Sequence, residues 1–166
     1  MPQWHNLLLR VEYDYNRLTE KNSFAAFFQN HSFIIDAGIP FQFGRAQTLT
    51  LGADLNISIA AEESGQPPNI NAISAQRSDY AVYLGYSAVL TRSFFVNAVG
   101  TLVVRQYYEG GRDDISEILA LTANYRVNKY LTVSAVSTLA ASQSNQSVFD
   151  YQVANLGGAV ALQVKF

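Results

Sequence analysis

Residues 48–61 read TLTLGADLNISIAA, and apolar and polar side chains alternate along this stretch with a period of two. The odd-numbered positions carry leucine, isoleucine and alanine, whereas threonine, asparagine, serine and Asp54 occupy most of the even-numbered ones. Successive side chains of a β-strand point to opposite faces of the sheet, so the pattern predicts a strand with one apolar and one polar face. A slip of one residue would exchange the two faces, and the register is therefore strongly specified.

The same alternation recurs on both sides of this stretch, along the whole chain. It predicts a single all-β domain, residues 1–166, built from about eight antiparallel strands in up-and-down order. No stretch approaches the roughly 18–20 consecutive apolar residues that a membrane-spanning helix needs. The predicted strands are residues 4–15, 31–43, 48–61, 79–90, 94–108, 117–127, 130–141 and 153–166.

The composition suits an all-β protein and excludes several function classes. Hydrophobic residues make up 49% of the chain and charged residues only 14%, and much of the remainder is Ser, Thr, Asn and Gln. A net charge of −2 with no cluster of Lys and Arg argues against nucleic acid as a partner, because phosphate binding needs a basic surface. The absence of cysteine excludes disulfides, thiol nucleophiles and cysteine-ligated metals.

The predicted connections alternate between short and long. Short turns are predicted at residues 44–47, 91–93 and 128–129, and long links at 16–30, 62–78, 109–116 and 142–152. Transmembrane β-barrels show this asymmetry, with tight periplasmic turns at one end and long external loops at the other. The spacing therefore predicts a transmembrane antiparallel β-barrel.

Aromatic residues gather near the two ends of the predicted strands, with aliphatic residues between them. Two aromatic belts that flank an apolar band are typical of membrane barrels, since Trp and Tyr favour the membrane–water interface. The predicted interface aromatics are Trp4, Phe41, Phe43, Phe94 and Tyr130 at the short-turn end, and Tyr13, Tyr15, Tyr80, Tyr107 and Tyr151 at the long-loop end.

The polar faces of the predicted strands carry charges of both signs. In a barrel of eight strands the interior is just wide enough for side chains, so these charges are expected to pair and largely fill the lumen. They could otherwise line a polar pathway. The predicted lumen network is Arg10, Glu12, Asp14, Asp36, Asp54, Arg105, Arg126 and Lys165.

The last 42 positions, residues 125–166, read YRVNKYLTVSAVSTLAASQSNQSVFDYQVANLGGAVALQVKF. A Tyr-Arg strand end, a tight Asn-Lys turn, a loop rich in Ser and Asn, Phe-Asp-Tyr and a closing strand that ends on Phe166 follow one another. This segment resembles the final hairpin of porin-like outer-membrane β-barrels of Gram-negative bacteria. In that family a charged residue is expected after Phe-Asp-Tyr, whereas Gln152 and Val153 follow here.

The resemblance implies a location and partners. Phe166 would be the terminal aromatic that the barrel-assembly machinery recognises, and the lipid bilayer and lipopolysaccharide would surround the barrel in the outer membrane. Many barrels of this kind are larger, so the chain could also be the C-terminal part of one. The oligomeric state stays open.

Few residues suggest catalysis or metal binding, and the sequence predicts a protein that is not an enzyme and needs no cofactor or metal. His31 and Ser32 are neighbours on a strand and would point to opposite faces, which prevents a nucleophile–base contact. The segment 109–114 holds three carboxylates without the ligand spacing of a calcium loop. An outer-membrane lipid hydrolase is thus the weakest alternative.

A soluble ligand-binding β-barrel is the main alternative, because periodicity does not reveal which face is inside. In that arrangement the apolar face would form the interior, as it does in carriers of apolar ligands. The aromatic belts, the long loops at one end and the terminal phenylalanine favour the membrane arrangement.

Overall fold

The computed structural model describes residues 7–19, 26–44, 46–61 and 75–162. Within these ranges the chain forms one antiparallel sheet of eight strands in the order β1 to β8, with every strand paired to its neighbours in sequence. This confirms the predicted all-β, up-and-down architecture. The strands are β1 (Leu8–Thr19), β2 (Ala26–Phe43), β3 (Gln47–Ala60), β4 (Arg77–Val89), β5 (Phe94–Tyr107), β6 (Asp113–Arg126), β7 (Leu131–Ser144) and β8 (Tyr151–Leu162).

The connections divide between two ends of the sheet. The turn end is where β2, β4 and β6 end, with links 90–93 and 127–130, and the loop end is where β1, β3, β5 and β7 end, with links 108–112 and 145–150. A short 3₁₀ helix, Ser147–Phe149, lies in the last of these links. Gly44, Gly110 and Gly111 have positive φ angles of 68°, 75° and 58°, which only glycine adopts at no steric cost, and these residues let the chain reverse tightly.

Several strand ends differ from the sequence prediction. β2 begins at Ala26 instead of residue 31, β6 begins at Asp113 instead of 117, and β7 continues to Ser144 instead of 141. Polar residues at these ends, such as Asp114, Ser116 and Ser142, resemble loop sequence. They fit strand positions here because they lie on the polar face of the sheet. The predicted strand residues 4–6 and 163–166 lie outside the described residues.

The seven ladders place most of the large apolar side chains on one face and most of the charged side chains on the other, with exceptions such as Ile34 and Val103 on the polar face and Glu117 on the apolar face. The apolar face carries Leu9, Val11, Ile35, Leu51, Val82, Leu84, Leu102, Leu119, Leu139 and Val160. The polar face carries Arg10, Glu12, Asp14, Asp36, Asp54, Asp79, Arg105, Asp114, Ser116 and Ser142.

The polar face is the more enclosed of the two. Ser116 is 0% exposed and Asp114 is 1% exposed, whereas Leu51 and Leu84 on the apolar face are 55% and 50% exposed. A folded water-soluble protein shows the opposite distribution, with large apolar side chains enclosed and charged ones outside. The sheet therefore surrounds its polar side chains and presents its apolar ones.

Within the described residues no ladder joins β1 to β8, so the sheet has two free edges. Among the described residues the sheet forms a single layer, in which each strand packs against its neighbours in sequence and the 3₁₀ helix packs against β7. In the ranges that the structure covers, it contains no helix long and apolar enough to span a bilayer.

Candidate functional site: the polar face of the sheet

Cross-strand pairing assembles the polar residues of distant segments into rows. One row runs through Arg10, Asp36, Asp54, Ala81 and Val103 and continues through Ser116 and Ser142 to Tyr151. The next row towards the loop end runs through Glu12, Ile34, Asn56, Asp79, Arg105, Asp114 and Ser144. Most of the charges of the polar face therefore lie at one level of the sheet, on its β1 to β6 side.

Asp79 on β4 is the centre of the best-connected part of these rows. Arg77 donates from Nε to both oxygens of Asp79 at 3.0 and 3.2 Å, and Arg105 Nε lies 3.8 Å from Asp79 Oδ1. Arg105 also donates to Ser116 Oγ at 2.8 Å, and Ser116 Oγ is 2.8 Å from Ser142 Oγ. A continuous polar network thus crosses β4, β5, β6 and β7, and it satisfies two arginines that are largely withdrawn from water.

Asp36 and Asp54 lie directly opposite each other in the β2–β3 ladder. Within the described residues no cationic group lies within ion-pair distance of either carboxylate, and Tyr83 donates a long hydrogen bond of 3.5 Å to Asp36. Both aspartates border a cavity of about 330 Å³ that Arg10 and Arg105 also line. Like charges that face each other across two strands repel, so this pair gives the cavity an anionic wall.

Tyr83 lies across two strands that carry glycine at the matching positions. In the ladders Gly38 is opposite Gly52, and Gly52 is opposite Tyr83. A Cβ atom built on Gly52 would overlap the ring of Tyr83, and one built on Gly38 would lie 2.8 Å from its hydroxyl oxygen. The two glycines therefore make the room in which the tyrosine ring lies flat against the polar face and reaches Asp36.

Arg112 connects the loop ends of β5 and β6 to link 145–150. Its guanidinium group forms a two-pronged ion pair with Asp114, and its Cζ lies 3.6 Å from the ring centroid of Phe149 and 4.3 Å from that of Tyr107. The hydrogen bonds from Arg112 to Asp114 raise the pKa of the guanidinium. The cation–π contacts with two aromatic rings and the ion pair with a buried carboxylate stabilise this end of the sheet.

Hydrogen bonds between side chains and the backbone also join the two neighbouring links. Asn145 Nδ2 donates to the carbonyl oxygen of Gly111 at 2.8 Å, Gln146 Nε2 donates to that of Gly110 at 2.9 Å, and the Asp113 amide donates to Asn145 Oδ1 at 3.0 Å. Links 108–112 and 145–150 therefore form one ordered structure. The segment 109–114, which holds three carboxylates, places Asp114 in β6 against Arg112, and the described residues contain no group of three His, Cys, Asp or Glu that could hold a metal.

The structure brings most of the predicted lumen network onto one face but divides it into parts. Arg10 and Glu12 pair at 3.3 Å on the exposed edge strand, Asp36 and Asp54 line the cavity, and Arg105 joins the Asp79 network. Asp14 faces Ser32 nearer the loop end. Arg126 lies at the turn end, 5.8 Å from the ring of Phe95, and Lys165 lies outside the described residues.

The predicted interface aromatics occupy both ends of the sheet, mostly on the apolar face. Phe41, Phe43 and Phe94 lie at the turn end of this face, and Tyr13, Tyr15 and Tyr80 lie at its loop end. Tyr130 lies in link 127–130, with Lys129 Nζ 4.7 Å from its ring. Tyr107 and Tyr151 lie instead at the loop end of the polar face, because their register positions match Arg77 and Ser142. Trp4 and Phe166 lie outside the described residues.

His31 and Ser32 point to opposite faces of β2, as neighbouring strand residues must. His31 Nδ1 is 2.7 Å from the hydroxyl oxygen of Tyr13, and its ring also packs on that of Tyr15. Ser32 is enclosed on the polar face, where Asn30 donates to its hydroxyl oxygen at 3.4 Å. The two side chains therefore do not meet.

Sequence reasoning missed Arg77, Asp79, Tyr83, Arg112 and Asp114. Arg77 and Asp79 stand at the start of a strand, where loop and strand residues look alike, but the alternation from Ala81 backwards places both on the polar face. Tyr83 could have been recognised only from the register, since the two glycines that receive its ring belong to β2 and β3.

The side chains of the polar face can bind or solvate polar groups. It offers guanidinium groups, carboxylates and hydroxyls in paired arrangements, without a nucleophile and base in contact among the described residues. The fold defines a class of protein, an antiparallel up-and-down sheet that encloses its polar face. Comparisons of the chain with protein-family models, with curated proteins and with solved structures found no match.

Proposed function

We propose that the chain is a β-barrel protein of the bacterial outer membrane, porin-like or structural, whose polar lumen is largely filled by side chains. One observation carries the proposal: the apolar face is exposed and the polar face is enclosed. In a bilayer this distribution is favourable, because lipid covers the apolar band and the barrel wall shields the charges. The proposal makes the lipid bilayer and lipopolysaccharide its surroundings and the barrel-assembly machinery its route of insertion.

Two further observations support this function. The apolar face carries aromatic residues at both ends and aliphatic residues between them, in the order expected of a lipid-facing band with two interfacial belts. The connected network around Asp79 fills part of the enclosed face with paired charges, which suits a packed lumen better than a wide channel.

A soluble ligand-binding barrel is the second candidate. It is favoured by a depression of about 890 Å³ on the apolar face, which extends from β3 to β8 and is lined mostly by aliphatic residues such as Leu51 and Leu102, with Glu117 and Gln152 among them. This volume lies within the range of small-molecule sites, roughly 300–1,000 Å³. A fold with the apolar face inside would turn this depression into an interior pocket for an apolar ligand.

Detergent dependence tests the proposal against this alternative. The purified, folded chain is expected to stay dispersed only in detergent or lipid, to show a β-type circular dichroism spectrum, and to migrate differently on gels before and after heating. The physical reason is the exposed band of large apolar side chains, which water does not solvate well. A monodisperse, folded monomer in plain buffer would contradict the membrane function and favour the soluble carrier.

A further inference from the structure

The outer edges of β1 and β8 have no ladder partner among the described residues. β1 and β8 each have a paired side, towards β2 and β7, and a side without a ladder among the described residues. Backbone N–H and C=O groups on a free edge have no partner in hydrocarbon, and for this reason only closed barrels span membranes with strands. If the chain acts in a bilayer, each edge needs a partner strand.

We propose that the partner of β1 is β8 of the same chain, and that the two edges meet in antiparallel register with Val11 opposite Val160. This inference rests on the proposed function and adds to it the seam, which is the line along which β1 and β8 pair. With eight strands in up-and-down order, β1 and β8 run in opposite directions, so the seam continues the antiparallel pattern of the other seven ladders.

The stagger between the strands provides the first argument. The row that begins at Arg10, near the start of β1, arrives at Tyr151, the first residue of β8, although these residues lie at opposite ends of the sheet. For β1 and β8 to overlap along their whole lengths, Arg10 must face a residue near Ala161 instead. The row then returns to β1 displaced by about ten residues, which is the shear of the closed barrel.

A shear of this size gives a normal barrel geometry. About ten residues at 3.3 Å each, set against eight strand spacings of about 4.8 Å, correspond to a strand tilt of about 40°. Closed barrels have tilts of roughly 35–45°. The registers of the seven ladders are therefore compatible with closure at a normal strand tilt.

The side chains of the two edges are complementary on both faces. On the apolar face Val11 is 72% exposed, Val160 is 70% exposed and Leu156 is 86% exposed, and the seam would bring all three beside apolar neighbours. On the polar face the long side chains of Arg10 and Glu12 would lie opposite Ala161 and Ala159. This is the same pairing of large with small residues that Tyr83 makes with Gly38 and Gly52 within the sheet.

Closure within one chain is favoured over pairing between two copies by tethering. The two edges belong to one folded sheet, so each meets the other at a high effective concentration, whereas a second copy must be recruited from solution. When β1 pairs with β8 of the same chain, the backbone groups of both edges gain hydrogen-bond partners in one step. A single second copy that pairs with one edge leaves the other edge of each chain free.

Paired cysteines test the seam directly, because the natural chain contains no cysteine. The variant Val11→Cys with Val160→Cys, folded in detergent and mildly oxidised, is expected to form an intramolecular disulfide, seen as a monomer band that shifts on reduction. Residues directly opposite across two strands lie within disulfide range. A second variant, Tyr13→Cys with Gly158→Cys, tests the same register at another position.

Three control pairs make every outcome informative. Val11→Cys with Ile35→Cys joins residues already opposite in the β1–β2 ladder and must cross-link in any correctly folded sheet. Val11→Cys with Val133→Cys joins β1 to β7 and should not react, because strands two apart exceed disulfide range. Val11→Cys with Gly158→Cys tests the neighbouring register and should react more slowly than the Val160 pair.

Disulfide-linked dimers from the Val160 pair would overturn single-chain closure and show that a second copy supplies the partner strand. The absence of any seam disulfide, in protein whose Val11–Ile35 control cross-links, would overturn the seam itself, as expected if β1 and β8 belong to a larger barrel. A faster reaction of the Gly158 pair would overturn the stated register. Detergent dependence is measured separately, so the seam can fail while the proposed function stands.

Discussion

Replacing Leu84 with arginine is expected to destabilise the folded protein in a bilayer by about 2–4 kcal/mol, the cost of a cation on the lipid face near the membrane midplane. Leu84 lies in the middle of β4 on the apolar face, half exposed, with Leu51 opposite it on β3 and Gly100 opposite it on β5. An arginine at this position must either extend its guanidinium group to the interface or draw water into the hydrocarbon.

The control is the same change near the end of the same strand. Leu90 follows β4 directly at the turn end and is similarly exposed, and Leu90→Arg should cost only about 0–1 kcal/mol because cations near the interface are tolerated. Urea unfolding of both variants in lipid vesicles measures the difference. Equal effects of the two substitutions would argue against a lipid-facing surface at Leu84.

Replacing Gly52 with alanine is expected to destabilise the protein by about 1–3 kcal/mol, the usual cost of inserting an extra methyl group into a filled space. The added Cβ would overlap the ring of Tyr83, so the ring would have to leave its position over Gly52 and its hydrogen bond to Asp36. The matched control is Gly100→Ala, since a Cβ at Gly100 meets no atom within 4 Å. That substitution should be neutral or slightly stabilising.

A double-mutant cycle identifies the tyrosine as the cause. In a Tyr83→Ala background the alanine at Gly52 has room, so most of its cost should disappear and the two substitutions should be strongly non-additive. Unfolding free energies of the four proteins in one detergent give the coupling. If Gly52→Ala is equally harmful with and without the ring, the packing of Tyr83 over Gly52 is not what determines stability there.

Alternation predicted the strands and their faces well because it is a local property. In residues 48–61 the alternation of polar and apolar residues is enough to assign the two faces of the strand. Asp54 and Leu51 are placed on opposite faces without knowledge of any other strand. The strand ends were less accurate, since Asp113 and Asp114 look like loop residues. Their place in β6 depends on Arg112, whose ion pair makes burial of Asp114 tolerable.

The candidate site was harder to predict because it depends on register between strands. Arg105 could be assigned to the polar face from its own strand, but its contacts with Asp79 and Ser116 follow from two separate ladders. Periodicity carries no information on which residues face each other across strands. Nor does it reveal which face the sheet encloses, and that property distinguishes a membrane barrel from a soluble carrier.

The central claim is that the apolar face meets lipid and the polar face does not, and adjacent residues of β4 test it most directly. Single cysteines at Val82 and Ala81, which lie on opposite faces, can each carry a nitroxide label in protein reconstituted into vesicles. The Val82 label should be accessible to oxygen dissolved in the hydrocarbon and shielded from a water-soluble relaxation agent, whereas the Ala81 label should show little contact with hydrocarbon. The reverse pattern, or a Val82 label as exposed to the water-soluble agent as a loop residue, would contradict the account.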